Sequence, residues 1–95
     1  MRFFKRRMSE PRHVTLYGKP GCHLCDDARE LLAVIGRDVP LVVDEIDIRS
    51  DPALFRRYDI RIPVLTIDGG PEVEAPITPD KLRRVLAARD DPNGS

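Results

Sequence analysis

Ninety-five residues, 41% of them apolar, suffice for one hydrophobic core and leave too little chain for a second. No run approaches the roughly 18 apolar residues of a membrane span, and the start lacks the apolar stretch of about 7–15 residues that a secretory signal carries. Sixteen basic and sixteen acidic side chains cancel, but unevenly: residues 1–12 carry +4 and the remainder −4.

The basic excess is Arg2, Lys5, Arg6, Arg7 and Arg12 against Glu10. Phe3 and Phe4 among arginines would suit a transit peptide or a surface anchor, yet the composition of residues 1–12 reads more simply as a solvated, poorly ordered tail. Neither nucleic acid nor membrane is expected as a partner. Without an export signal the expected location is the cytoplasm, where stable structural disulfides are disfavoured. The folded domain is expected over residues 13–89, with a flexible tail at 90–95.

His13-Val-Thr-Leu-Tyr17 alternates polar and apolar residues and predicts a strand, closed by the turn signal Gly18-Lys19-Pro20-Gly21. A helix follows. Leu24, Ala28, Leu31, Leu32 and Ile35 share one face of a 3.6-residue period, and Gly36 stands at the C-terminal cap. Leu41 to Ile48 predicts a second strand, and the strand–helix–strand order makes the pair parallel. Ser50-Asp51-Pro52 starts a short helix with Leu54, Phe55 and Tyr58 on its apolar side. Pro63–Ile67 and Glu72–Ala75 flank an Asp-Gly turn and predict a hairpin. Thr78-Pro79 opens a last helix with Leu82, Val85 and Leu86 inward.

The chemistry-bearing motif is Cys22-His23-Leu24-Cys25, which holds both cysteines of the chain. It is a redox pair, half of a metal site, or a coincidence; a CxxC beside a strand–helix–strand pattern favours redox. Cys22 falls at or just before the first helical turn, where unpaired N–H groups and a partial positive charge stabilise a thiolate. Cys25, one turn on, is close enough to attack a mixed disulfide formed on Cys22. Cys22 is thus the nucleophile and Cys25 the resolving thiol. Asp26 and Asp27 act against the thiolate, and His23, when protonated, would act for it.

The order β-α-β-α-β-β-α, with CxxC opening the first helix and a proline before the third strand, resembles the thioredoxin superfamily and within it the glutaredoxin-like proteins. Tyr17-Gly-Lys-Pro-Gly-Cys-His-Leu-Cys25, Tyr58-Asp-Ile-Arg-Ile-Pro63 and the hairpin with its terminal helix carry the resemblance, over about residues 13 to 88. It implies an α/β thioredoxin-like fold with a central mixed four-stranded sheet flanked by helices. It also implies a thiol–disulfide oxidoreductase acting on protein or small-molecule disulfides; a monomer with no tightly bound cofactor is expected. Pro63 is then expected to be cis and to face the cysteines, with the N–H and C=O of Ile62 pairing with the substrate backbone as an added strand. Lys19 is expected near the thiolate or on a substrate carboxylate, and Arg61 within reach of an acidic substrate group.

Glutathione, as co-substrate, and a thioredoxin-type reductase are the candidate electron donors. The Gly-Gly-Asp-like turn that receives the tripeptide's carboxylate in glutathione-using relatives is replaced here by Glu74-Ala75-Pro76-Ile77-Thr78. Pro76 has no N–H to donate, which leaves Thr78 or the last helix's N-terminus as the anion site. Two other functional readings stand beside the redox one. A zinc site would draw on Cys22 and Cys25, with His23 and His13 poorly placed to complete the tetrahedron, and an iron–sulfur cluster shared in a dimer would need one thiolate from each chain and a bound thiol. A non-catalytic interaction module would have no need of both thiols at this spacing.

Overall fold

The computed structural model describes residues 11–87; most of the basic tail and the end of the chain lie outside the described residues. Strand β1, Arg12–Gly18, sits centrally, paired in parallel with β2, Leu41–Asp47, and antiparallel with β3, Val64–Ile67. Strand β4, Glu72–Glu74, pairs antiparallel with β3, so the sheet order is β2-β1-β3-β4. This is the expected mixed four-stranded sheet.

Alternation along β1 decides the layers, because successive strand side chains point to opposite faces. Val14 and Leu16 join Leu65 and Ile67 in a core covered by Ala28, Leu32 and Ile35 of α1, His23–Ile35, and by Leu82 and Leu86 of α3, Pro79–Ala87. Tyr17 and Val64 point the other way, into a smaller cluster with Ile48 and with Leu54 and Tyr58 of α2, Pro52–Tyr58. Helices therefore flank the sheet on both faces.

Local chemistry sets the element ends. Asp47 ends β2 one residue earlier than expected, because its carboxylate accepts the Arg49 N–H at 2.9 Å and caps a short 3₁₀ turn, Ile48–Ser50. Asp51 caps α2 by accepting the Ala53 N–H at 2.8 Å. The hairpin turn holds Asp68 and Gly69 at φ 52° and 73°, the paired positive φ that an Asp-Gly sequence favours.

Three expectations need correction. Leu24 is 56% exposed, and Cys25 takes the inward position that starts the α1 stripe. Phe55 is likewise exposed, leaving Tyr58 as the buried anchor of α2. Arg12 is no part of a tail: it opens β1, is 6% exposed, and donates from Nε to Asp68 Oδ2 at 2.6 Å and from Nη1 to Leu86 O at 2.5 Å. Its side chain is covered while its charge meets a hairpin carboxylate and the Leu86 carbonyl near the end of α3, which is how a buried guanidinium is tolerated.

Candidate active site

Gly21, at φ 80°, turns the chain out of β1 and into α1. Cys22 follows in an extended conformation, φ −98° and ψ 109°, as the N-cap of α1. Its Sγ accepts the Cys25 N–H at 3.2 Å, so the sulfur occupies the place that a serine or aspartate oxygen takes at other helix starts. The two cysteines are joined as a disulfide with Cα atoms 5.2 Å apart. Cys25 is 1% exposed and Cys22 only partly covered, which gives one accessible and one sequestered sulfur.

Pro63 is buried, and its peptide bond with Ile62 is cis. Because Tyr17 is level with Val64 across the β1–β3 ladder, Pro63 falls level with Gly18, the residue against which Cys25 packs. The Tyr17 and Tyr58 rings stack with centroids 4.5 Å apart, joining the strand that leads to Cys22 with the turn that leads to Pro63.

That turn is more tightly held than the sequence suggests. Ile62 N–H donates to Tyr58 O at 3.0 Å and Arg61 N–H to the same carbonyl at 2.8 Å. An added substrate strand therefore has only the Ile62 C=O to use unless the turn opens. The Arg61 side chain is not extended toward a ligand either: it donates to Glu72 and, at 3.1 Å, to Glu74 Oε1, with its guanidinium 5.3 Å from the Tyr58 ring centroid. Arg61 clasps the pre-proline turn to β4. Arg61 first and Tyr58 second hold the Glu72 carboxyl below its ordinary pKa, while burial, then Glu72, pushes Tyr58 up.

Lys19 Nζ stands 3.4 Å from Asp59 Oδ1 and 5.9 Å from the Phe55 ring centroid, so its charge is shared with the carboxylate that follows Tyr58, 40 residues away in sequence. Beside it a cleft of about 300 Å³ opens, walled by Gly18, Lys19, Cys25, Asp26, Arg29 and Glu45 among others. Arg29 spans this cleft, with Nη1 2.7 Å from Asp26 Oδ1 and Nε and Nη2 2.7 and 3.0 Å from Glu45. Glu45 first, then Asp26, makes Arg29 hold its proton more tightly than usual. Asp26, expected to oppose the thiolate, is thereby paired with a cation that it shares with Glu45. The Asp26-x-x-Arg29 spacing was the signal available for it.

His23 is exposed at the first helical position. His13 lies near the far end of β1, about 17 Å from Gly18 at the usual rise per residue, where it pairs with Asp44. Among the described residues no three His, Cys, Asp or Glu side chains gather to hold a metal ion.

The last helix starts on a cap of the same kind in different surroundings. Thr78 Oγ1 accepts the Lys81 N–H at 3.1 Å, Pro79 brings no N–H, and Asp80 adds a negative charge to the first turn. Lys81 Nζ reaches back to the Glu74 and Pro76 carbonyls, both at 3.0 Å. Of the N–H groups at this helix start, that of Lys81 is taken by Thr78 Oγ1 and that of Leu82 by Thr78 O.

Residues 13–87 match the family described as the Glutaredoxin-like domain (DUF836). The chain belongs to this glutaredoxin-like family. Among solved structures, target protein XcR50 from X. campestris is 39% identical with a TM-score of 0.69, the alignment covering 79% of this chain and 96% of that one. Protein Ne2328 from Nitrosomonas europaea is 29% identical at TM-score 0.71, covering 80% and 92%. A mutant thioredoxin from Halobacterium salinarum, 20% identical at TM-score 0.65 over 86% and 77%, is similar in fold. No curated protein matches the chain. A glutaredoxin-like domain on a thioredoxin-like fold, with its CxxC at a helix start, fits a redox thiol function.

Proposed function

We propose that this glutaredoxin-like protein is a dithiol–disulfide oxidoreductase that reduces disulfides of proteins, including glutathione mixed disulfides, through Cys22. The observation that carries the proposal is the asymmetry of the pair: the more accessible Cys22 sulfur caps α1, and Cys25 is buried within bonding reach. A helix start stabilises the thiolate of the first sulfur, and burial keeps the second from outside partners.

In the forward cycle the Cys22 thiolate attacks one sulfur of the substrate disulfide. A Cys22–substrate bond forms, the substrate S–S bond breaks, and the departing thiolate takes a proton from water. Cys25 then loses its proton and attacks Cys22 Sγ, forming the Cys22–Cys25 disulfide and releasing the second substrate thiolate. The substrate gains two electrons and the protein loses two. An external dithiol or a pair of thiols must return them.

Features of the 75–78 segment favour a donor other than glutathione. Pro76 has no N–H, Ala75 N–H is bonded to Pro63 O at 3.2 Å, and Thr78 is engaged as a cap. A thioredoxin-type reductase or another dithiol donor follows as the proposed electron source. A cytoplasmic setting, where thiols are kept reduced, suits a pair that must be returned to the dithiol form after each turnover. Among the described residues no helix is long and apolar enough to cross a membrane.

The test is turnover of a glutathionylated peptide and of a protein disulfide with dithiothreitol or glutathione as reductant. Activity is expected with the dithiol on both substrates, lost in Cys22→Ser, and weak with glutathione. If the reduced protein exchanges with neither substrate, the proposal fails.

A further inference from the structure

Gly18 closes β1, and an ideal Cβ built on it would stand 2.9 Å from Cys25 Sγ and 3.3 Å from Cys25 Cβ. The first distance is shorter than packed atoms tolerate, so a methyl group there forces something to move. Cys25, 1% exposed, lies against the strand because position 18 carries no side chain.

The two redox forms differ in what can move. In the dithiol form Cys25 Sγ is held by a single χ1 torsion and can turn to another rotamer. In the disulfide form it is also bonded to Cys22, whose own position is fixed as the cap of α1. Yielding to a methyl group then means displacing the helix start.

We propose that Gly18 is a positioning residue that sets the redox poise of the Cys22–Cys25 pair by leaving room for the Cys25 sulfur in the disulfide form. The proposal rests on reading the pair as a redox-active dithiol. A side chain at position 18 disfavours the disulfide relative to the dithiol and makes the pair a stronger oxidant. The reaction that reads this is exchange with dithiothreitol, in which its two thiols become a cyclic disulfide while the Cys22–Cys25 bond breaks and both cysteines gain protons.

The full chain and its Gly18→Ala variant are equilibrated in dithiothreitol redox buffers, and the dithiol fraction is trapped by alkylation and weighed by mass spectrometry. The expected result is an equilibrium moved toward the protein dithiol by about tenfold, equivalent to about 30 mV. Thermal unfolding of Gly18→Ala is also measured in a Cys25→Ala background, where the sulfur is gone. The loss of stability there is expected to be smaller than in the oxidised wild-type background. An unchanged equilibrium overturns the proposal. So does an equal loss in both backgrounds, including failure to fold in both, since the methyl would then be excluded by something other than the sulfur. The equilibrium needs no substrate, so an inactive protein would defeat the catalytic reading and leave this one standing.

Discussion

The starts of α1 and α3 are built on the same plan and serve opposite ends. Each is capped by a small side chain that accepts an N–H three residues on, Cys22 from Cys25 at 3.2 Å and Thr78 from Lys81 at 3.1 Å. Thr78 is exposed but holds no reactive group: Pro79 offers no donor, and Lys81 ties the helix back to the Glu74 and Pro76 carbonyls. Around Cys22 the cap is itself the reactive atom, and Asp26, one of the two acids in the turns that follow, is held by Arg29. A helix start becomes a reactive centre when its cap can change oxidation state; neither exposure nor the backbone alone makes it one.

The harshest way to break the comparison is to make the two caps chemically alike. Cys22→Ser keeps a capping oxygen and removes the nucleophile. Disulfide exchange is expected to disappear, while the thermal stability of the variant stays close to that of the reduced wild-type protein. Cys22→Ala removes the cap as well and should cost about 1 kcal/mol more, read by denaturant unfolding under reducing conditions. Residual exchange in Cys22→Ser would assign the nucleophile to Cys25.

The reverse change is milder. Thr78→Ala is expected to destabilise the protein by about 1 kcal/mol, as loss of a cap does elsewhere. The dithiol–disulfide equilibrium should not move, because this helix start has no part in the chemistry. A shifted equilibrium would show that the two starts are coupled.

Much of this contrast was legible in the sequence, because it is local. Cys22 before a helical period, Asp51-Pro52 before a short one and Asp68-Gly69 between strands each carry their signal within a few residues. What was not legible depends on partners brought together by the sheet. Arg12 looked like one more tail charge because Asp68 and Leu86, which bury it, lie 56 and 74 residues away. Glu72 and Glu74 claim Arg61 only once β4 has paired with β3. The phase of α1 was misjudged at its first turn, where Leu24 and Cys25 are adjacent and a buried thiol does not advertise itself as apolar. The internal bond of Ile62 N–H to Tyr58 O likewise follows from how α2 ends.

Strand β4, to which Lys81 ties α3, can also be loosened by acid. Arg61 and Tyr58 hold the Glu72 carboxyl below its ordinary pKa, so the pairing stabilises the fold above the usual glutamate range. That contribution is lost as pH falls through the depressed folded value. Wild-type stability should therefore fall with acid more steeply than that of Glu72→Gln, with the two curves converging below the ordinary glutamate range. Parallel curves in urea unfolding from pH 7 to pH 3 would remove Glu72 from the account. The pair is exposed enough that added salt should shrink the difference.

The smallest expected effect lies at the start of α1 and asks how far its electrostatics matter. Asp26 sits four residues after Cys22, on the same helical face, and its N–H bonds to Cys22 O at 3.1 Å. Its carboxylate would oppose a thiolate there, but Arg29 takes it up and anchors itself on Glu45 of the edge strand. Arg29→Gln releases the carboxylates of Asp26, one turn past the cap, and of Glu45 without touching the cap, so alkylation of reduced Cys22 at pH 7 should slow by roughly threefold. Arg29→Lys, which keeps the charge and loses the two-pronged bond, should recover part of the rate. High salt should erase the difference between Arg29→Gln and wild type, because these groups are half exposed and screened. A rate unchanged at low salt would mean that Arg29 only fastens α1 to β2, and that the cap alone governs how readily Cys22 reacts.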